Sequence, residues 1–406
     1  MTRRTAGLVV LLAIIGWTGL AWLAIQLYST NPRQAGFDLE LLLKAGRDVA
    51  NGRSPYDPAM LAGSAPVAER LFYSYPPFVA QVMSLFASIP SPVMFVAWTA
   101  AAVAGLALLA RSIAARYAAS ATASVVALVA VAVSPLIFPF AIGLVFGNLD
   151  VFFPLLFGLV LLGNLPPPRA AASAGSGIAA TIAAVAKLHP GSLGLWLLAR
   201  SKTATAARRA VVAALGALIV VVGLSLFVGG VQPWIDYATV VRAGSGADLV
   251  DPRNAGPAAQ VALLVGGGGS GAEALARTLQ IPVTIAALLA TIVVALRVND
   301  PVESLAWAAV ASLVVLPVTW YHYPSALIPF AIVAVLRART EGPRAAQALG
   351  LVVAAAVVAA VGIAWLPLIY VAIGLVIAAV RISGREASPS RVESPAAAIP
   401  ASGVPA

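Results

Sequence analysis

The sequence contains no cysteine among its 406 residues. This absence excludes disulfide bonds, cysteine nucleophiles and zinc sites with cysteine ligands. Charged side chains are also scarce, since Asp, Glu, Lys and Arg make up only 10% of the chain while 61% of the residues are hydrophobic. A soluble globular domain cannot cover its surface with so few polar groups. The composition therefore indicates a protein that lies in a membrane.

The hydrophobic residues run in blocks of about 20, which is the length that a helix needs to cross about 30 Å of hydrocarbon. Helices satisfy their backbone hydrogen bonds internally, as lipid requires, and the short alternating segments of an outer-membrane barrel are not found. We predict an all-α, polytopic integral membrane protein with about 11–12 transmembrane helices in one domain, residues 1–384. The predicted spans are 7–28, 92–111, 119–140, 146–164, 171–187, 188–200, 204–229, 277–297, 302–319, 322–337, 345–362 and 364–381.

The net charge of +10 does not indicate a nucleic-acid partner. Lys and Arg cluster in short loops between the apolar blocks, which is the positive-inside pattern of a bacterial plasma-membrane protein. This pattern places the N- and C-termini in the cytoplasm. The first apolar run, Gly7 to Tyr28, follows Arg3 and Arg4 and has no small-x-small cleavage site. We expect it to be an anchor helix and not a signal peptide.

Two segments do not fit simple crossings. Residues 76–90 and 92–111 cannot both span the membrane without placing Arg111 outside, so we predict a partial or interfacial helix at 76–90. The segment 188–200 is short for a crossing, and we predict that 171–200 is a broken helix pair hinged near Pro190. Broken helices at membrane depth usually line a cavity.

Two long loops are predicted on the non-cytoplasmic side. The first, residues 29–75, contains an amphipathic stretch from Phe37 to Val49 with apolar residues at helical spacing. The second, residues 230–276, ends in a glycine-rich run, Gly266 to Gly271, which we interpret as a flexible linker. Residues 385–406 are rich in Ala, Ser and Pro and are predicted to form a disordered cytoplasmic tail.

Polar side chains are costly in a membrane protein, so their positions are informative. Those outside the predicted cytoplasmic loops gather at the non-cytoplasmic face, which predicts a pocket there. Both histidines of the chain belong to this set. Its members are Asp38, Glu40, Lys44, Arg47, Asp48 and Asp57; Asn148 and Asp150; Lys187 and His189; Trp234, Asp236, Arg242, Asp248, Asp251, Arg253 and Asn254; and Trp320, Tyr321, His322 and Tyr323.

Each of the main candidates has a functional and a structural interpretation. Asp38 could be a general base or the N-cap of the amphipathic helix. His322 could bind a phosphate or orient an acceptor, or it could lie in an interfacial aromatic belt. Lys187 could hold a lipid phosphate or extend to the membrane interface. Asn148 and Asp150 could cap the helix predicted at 146–164, and capping is the preferred interpretation for Asn148.

The ordered motifs of the chain resemble a known family, the polyprenyl-phosphate-mannose-dependent mannosyltransferases (glycosyltransferase family 87, of the GT-C superfamily). The resemblance covers residues 7–340 approximately and departs from the family at Asn148, where Gln is usual, and at 254–256, where Asn-Gln-Ser is common. The motifs are Gly36-Phe37-Asp38, Ala50-Asn51-Gly52-Arg53-Ser54-Pro55-Tyr56-Asp57, Tyr75-Pro76-Pro77-Phe78, Gly147-Asn148-Leu149-Asp150, Lys187-Leu188-His189-Pro190 and Trp320-Tyr321-His322-Tyr323.

The resemblance implies an inverting transfer from a polyprenyl phosphate sugar in a single displacement, with no metal and no cofactor. It implies that Asp38 is the base that deprotonates the acceptor hydroxyl. The residues expected to bind the donor, chiefly at its phosphate, are Lys187, His189, His322, Arg253 and Asn148. The residues expected to line the acceptor pocket are Tyr56, Tyr75, Trp320, Tyr323 and Asn254.

The expected reaction is transfer of mannose at the extracytoplasmic face, forming an α-1,2 linkage to a glycolipid or envelope glycan. The Lys-poor, Ala- and Arg-rich composition suits a high-GC bacterium, and actinobacterial members of the family build phosphatidylinositol mannosides and lipomannan. Transfer of arabinofuranose by the same mechanism is an alternative. A transporter or lipid flippase would place charges near the middle of several spans or contain an inverted repeat, and the sequence has neither. A non-catalytic scaffold would not need the ordered motifs.

Overall fold

The computed structural model describes residues 3–30, 35–63, 72–117, 120–244, 248–267, 269–338, 343–362 and 364–384. The described residues form 18 α-helices and three short 3-10 turns. Their only β pairing outside helices is an isolated bridge between Asn254 and Trp320. The prediction of an all-α protein is therefore confirmed.

The helices are numbered in chain order. They are α1 (Arg3–Thr30), α2 (Phe37–Ala50), α3 (Pro58–Leu61), α4 (Pro77–Ser84), α5 (Ser91–Ala114), α6 (Ser120–Val133), α7 (Phe138–Phe146), α8 (Phe153–Asn164), α9 (Ala170–Ala186), α10 (Gly191–Arg200), α11 (Thr205–Gly229), α12 (Gln232–Gly244), α13 (Pro257–Gly266), α14 (Gly269–Arg297), α15 (Pro301–Val314), α16 (Ile328–Arg337), α17 (Pro343–Val361) and α18 (Leu368–Gly384). The 3-10 turns are Ser134–Leu136, Leu149–Phe152 and Tyr323–Leu327.

Five helices, α1, α5, α11, α14 and α17, are long and apolar enough to cross a membrane by length and composition, and α6 with α7 would form a sixth span if the bent pair counts as one. Much of their apolar surface is exposed, as expected of helices that face lipid. The prediction of a polytopic membrane protein is confirmed. Six further apolar helices have only 10–17 residues, so the count of about 11–12 crossings stays a prediction.

Three local predictions are confirmed. The amphipathic stretch in the first loop is helix α2, which packs Leu39, Leu42 and Leu43 into the core. The segment 76–90 contains only the short helix α4, whose length of about 12 Å is too small for a crossing. The segment 171–200 is broken, because α9 ends at Ala186 and α10 begins at Gly191.

The predicted spans 119–140 and 146–164 differ from the structure. Helix α6 turns by 74° into α7, at a 3-10 turn that contains Pro135 and cannot continue the helical hydrogen bonds. Helix α7 ends at Gly147, whose φ of 66° is left-handed, and α8 begins only at Phe153. Residues 147–152 therefore form an irregular segment between two apolar helices.

A second irregular segment lies where the spans 302–319 and 322–337 were predicted to meet. Helix α15 ends at Val314, and the chain reaches α16 only after the 3-10 turn Tyr323–Leu327. This turn contacts the turn Leu149–Phe152. The two irregular segments thus bring polar residues together inside an otherwise helical protein.

The glycine-rich run is not the flexible linker that was predicted. Helix α13 ends at Gly266, Gly267 caps it with a left-handed φ of 63°, and α14 already begins at Gly269. Helices α13 and α14 pack together there, since Ala272 lies directly against Gly266. A Cβ on Gly266 would lie only 3.1 Å from Ala272, whereas Gly267 and Gly269 have open space around them but adopt left-handed φ angles of 63° and 79° that favour glycine. Helix α14 therefore begins before the predicted span 277–297, and the tail at 385–406 lies outside the described residues.

Candidate functional site

Two glycines bring the start of α2 against the end of α7. The N–H of Gly36 donates to the Val145 carbonyl at 2.8 Å, and a Cβ on Gly147 would lie 2.6 Å from Cβ of Leu39. Phe37 and Phe146 also contact each other, with ring centroids 4.6 Å apart. The start of α2 is therefore held directly on the turn that follows α7.

This packing places Asp38 beside Asn148. Nδ2 of Asn148 donates to Oδ2 of Asp38 at 2.5 Å, and Oδ1 of Asn148 accepts the N–H of Asp150 at 2.8 Å. The predicted cap by Asn148 is confirmed for the 3-10 turn Leu149–Phe152. Asp38 itself is not a helix cap, because the N-cap position of α2 is Gly36.

The surroundings of Asp38 raise the pKa of its carboxyl above the ordinary value. Burial is the largest cause, and the nearby Asp150 carboxylate adds to it. The charges of His322 and Lys187 and the hydrogen bond from Asn148 lower the pKa and offset part of this effect. Asp38 is thus a carboxylate with increased proton affinity, close to the side chains of Lys187 and His322.

A second carboxylate, Asp150, lies at the centre of a buried charge cluster. Its side chain is 1% exposed. Nζ of Lys187 lies 2.7 and 2.8 Å from its two carboxylate oxygens, and Nε2 of His322 lies 3.1 Å from Oδ2. Lys187 is directed inward and does not extend to the surface, since its side chain is 12% exposed.

Aromatic rings enclose this cluster. The Lys187 ammonium lies 4.2 Å from the ring centroid of Tyr323 and 5.7 Å from that of Tyr75. The His189 ring stacks on Tyr323 with centroids 5.0 Å apart and meets Phe153 edge-on at 5.4 Å. Rings at these distances restrict the rotation of their neighbours and stabilise the Lys187 cation.

The segment between α12 and α13 contributes the rim of the site. Arg253 pairs with Asp251 at 2.6 Å and lies 5.8 Å from the ring of Trp320, with most of its side chain exposed. Asn254 is fully buried, and its side chain accepts the N–H groups of Gly256 at 2.8 Å and Thr319 at 2.9 Å. Asn254 therefore fixes the loop to the turn around Trp320.

The remaining predicted residues lie in different places. Tyr56 is buried and donates its hydroxyl hydrogen to the Tyr75 carbonyl at 3.1 Å, which gives it a role in packing. Glu40 is exposed and pairs with Arg47 at 2.7 Å, so it does not form an acidic pair with Asp38. In the part of the chain that the structure describes, no group of three or more acidic or histidine side chains could hold a metal ion.

The sequence by itself does not mark Asp150 as the centre of the cluster. Its spacing from Asn148 indicated only a helix start, and its partners Lys187 and His322 lie far along the chain. The one available signal was an acidic residue within an apolar block, where a charge normally has a partner.

The described helices include five or six that could span a membrane, and they surround a buried cluster of charged side chains. The family model for glycosyltransferase family 87 matches residues 73–319. This is more than half of the chain, and the protein belongs to glycosyltransferase family 87, a family of membrane glycosyltransferases. Asn148, Asp150 and Lys187 lie inside the matched region, whereas Asp38 and His322 lie outside it. No curated protein and no solved structure matches the chain.

Proposed function

We propose that the protein transfers mannose from polyprenyl phosphate mannose to a glycolipid or envelope glycan at the extracytoplasmic face of the plasma membrane. The observation that carries this proposal is the position of Asp38. It is a carboxylate with a raised pKa beside the cluster of Asp150, Lys187 and His322. A base next to cationic groups is what a transfer from a phosphate-linked sugar requires.

In the proposed reaction, an oxygen of Asp38 accepts the proton of the acceptor hydroxyl. The acceptor oxygen forms a bond to the anomeric carbon, and the bond from that carbon to the phosphate oxygen breaks. The polyprenyl phosphate leaves with the electron pair of the broken bond. One displacement inverts the anomeric configuration, so a β-linked donor gives an α-linked product. The raised pKa makes Asp38 a stronger base than an exposed carboxylate.

The leaving phosphate gains negative charge, and cations nearby would stabilise it. Lys187 and Asp150 together are neutral, so net positive charge near Asp38 comes from His322 when it is protonated. We assign His322 to the donor phosphate, with Lys187 and His189 supporting it from the hinge between α9 and α10. Arg253 at the rim is a further cation for this phosphate.

The acceptor would enter from the rim. Trp320 is only partly buried and offers a ring face to a sugar. Tyr75 and Tyr323 are buried and lie against Lys187, while Tyr56 and Asn254 support the walls through backbone contacts. We assign Asn148 to the orientation of Asp38 rather than to direct donor contact.

The purified protein in nanodiscs should transfer labelled mannose from polyprenyl phosphate mannose to a phosphatidylinositol mannoside, giving a product whose α linkage is read by NMR. Polyprenyl phosphate arabinofuranose should support little transfer in a parallel reaction. Transfer of arabinose alone would show that the sugar is wrong. Movement of labelled lipid across proteoliposomes without any sugar transfer would instead identify a flippase.

The Asn148→Ala variant is expected to shift the acid limb of the pH–rate profile to higher pH. The hydrogen bond from Asn148 lowers the pKa of Asp38, so its loss raises the pKa and leaves less Asp38 ionised at a given acidic pH. The measurement is kcat/KM for mannosyl transfer across an acidic pH series.

Asn164→Ala is the matched control, because Asn164 also donates its amide hydrogen to a partner, the Val160 carbonyl at 2.8 Å, but lies at the end of α8. Its acid limb should stay at the parent position. An unchanged profile in Asn148→Ala, with a fold still intact, would contradict the pKa role of Asn148.

A further inference from the structure

The Asp150 carboxylate has no direct part in the reaction proposed above, yet it is the most enclosed charge of the site. We propose that Asp150 is a positioning residue, which fixes the His322 ring so that one nitrogen faces the donor phosphate, and that Lys187 is the counter-ion that permits its burial. The identification of the ligand as the donor phosphate rests on the proposed function, whereas the orientation of His322 by Asp150 does not.

The two nitrogens of His322 have different surroundings. Nε2 lies 3.1 Å from Oδ2 of Asp150, which is within ion-pair distance, although neither ring nitrogen makes a hydrogen bond among the described residues. A carboxylate only accepts, so in this ion pair the hydrogen is supplied by Nε2. Nδ1 is buried and has no hydrogen-bond partner within the described part of the chain. Buried polar nitrogens are normally paired. Nδ1 is therefore the atom of His322 that remains for a ligand.

The orientation of the ring is restricted on both sides. Tyr321 and Tyr323 meet His322 at centroid distances of 5.8 and 5.2 Å, with interplanar angles of 85° and 70°. Cβ of His322 lies 4.0 Å from the position that a Cβ on Gly143 would occupy. These contacts limit rotation, and Asp150 determines which nitrogen faces inward.

The backbone of Asp150 is fixed independently of its side chain. Its N–H donates to Oδ1 of Asn148 at 2.8 Å, and its carbonyl accepts the hydroxyl hydrogen of Ser325 at 3.3 Å. Ser325 lies in the turn that follows His322. The Asn148 bond fixes Asp150 within its own turn, and the Ser325 bond joins that turn to the one that follows His322.

Lys187 offsets the charge that this arrangement buries. A buried carboxylate without a partner is strongly destabilising, whereas a pair with good geometry is tolerated. The ionisable groups that surround His322 are Asp38 from α2, Asp150 from the turn before α8, Lys187 and His189 from the hinge, and Tyr321 and Tyr323 from its own turn. Of these, only Asp150 contacts Nε2 of His322.

The test compares Asp150→Asn, Lys187→Met and the double variant that carries both changes, using polyprenyl phosphate mannose as donor. Asp150→Asn should lower kcat by about 10²-fold, because the phosphate loses an oriented partner. Asp150→Asn leaves the buried Lys187 without its ion-pair partner, and Lys187→Met leaves Asp150 with His322 alone, so each single variant should lower the thermal midpoint. The double variant removes both charges, so it should recover the thermal midpoint while kcat stays low by about 10²-fold.

A recovery of kcat together with the thermal midpoint in the double variant would overturn the proposal, because it would show that the pair serves only the fold. The comparison therefore separates a positioning role from a structural one. Lys187→Met alone keeps Asp150 beside His322 and should retain more activity per folded molecule than Asp150→Asn.

A second measurement needs no turnover. The chain has only two histidines, so ¹⁵N-histidine NMR in nanodiscs gives two pairs of ring-nitrogen signals, and the pair lost in His322→Gln identifies His322. Asp150→Asn should change the Nε2 shift and tautomer of His322. An unchanged His322 signal would overturn the positioning role. If the parent protein transferred no mannose while the His322 signal still moved, the donor assignment would fail and the positioning role would stand.

Discussion

Asp38→Asn is expected to reduce mannosyl transfer by about 10³-fold, which is the range for loss of a general base. The amide cannot accept the acceptor's proton as a carboxylate does, but it has nearly the same shape. It can keep a hydrogen bond to Asn148, whose amide both donates and accepts. The measurement is single-turnover transfer from labelled polyprenyl phosphate mannose, with donor binding measured separately so that loss of chemistry is distinguished from loss of affinity.

The stability of Asp38→Asn provides an internal check. The folded pKa of Asp38 is raised above its unfolded value, so the folded state binds more protons between the two values and loses stability as pH rises through that window. At neutral pH the ionised Asp38 therefore costs stability, and Asp38→Asn should have a thermal midpoint equal to or above that of the parent protein.

Glu40→Gln is the matched control for the catalytic effect. Glu40 lies two residues along the same helix, but it is exposed and pairs with Arg47. Loss of one exposed ion pair has a small effect, and transfer should stay close to the parent rate. Turnover of Asp38→Asn within a few fold of the parent protein would remove Asp38 from the role of base.

Gly147→Ala is expected to have the second large effect, a loss of activity of about 10²-fold that comes from displaced geometry. Gly147 has a φ of 66°, and a Cβ there would lie 2.6 Å from Cβ of Leu39. Helix α2 would have to move away from the turn after α7, which would separate Asp38 from Asn148. The measurement is kcat for mannosyl transfer together with the thermal midpoint.

Gly52→Ala is the control that separates the two effects of Gly147→Ala, which are the strain of a left-handed backbone and the clash of the new Cβ with Leu39. Gly52 has a similar left-handed φ of 69°, but a Cβ there would meet no atom within 4 Å. It should show only the backbone cost of about 1 kcal/mol and retain its activity. Equal losses of activity in Gly147→Ala and Gly52→Ala would show that the contact with Leu39 does not position Asp38.

The structure joins residues inside the region matched by the family model to site residues that lie outside it. The match begins at residue 73 and ends at residue 319, so it includes neither Asp38 nor His322. The structure brings both residues to the matched ones, through the bond from Asn148 to Asp38 and the contact of Asp150 with His322. The cluster is therefore continuous across the ends of the match, which supports one site built from both parts.

The sequence alone determined the class of the fold. Blocks of apolar residues about 20 long can satisfy their backbone hydrogen bonds in lipid only as helices, and this local rule needs no knowledge of contacts. The same local character made α2 and the break near Pro190 predictable, because amphipathic spacing and proline act within a few residues. The set of polar motifs also limited the candidates for the site.

Tertiary structure decided what those candidates do. Whether Asp38 caps a helix or lies beside Asn148 depends on the close packing of Gly147 against Leu39. Whether Lys187 extends to the interface or turns inward depends on Asp150. These partners are far apart in the chain, and side-chain spacing along one helix carries no information about them. A buried charge is stable only where a distant segment supplies its partner, so the roles of Asp38, Asp150 and Lys187 follow from contacts that only the folded chain creates.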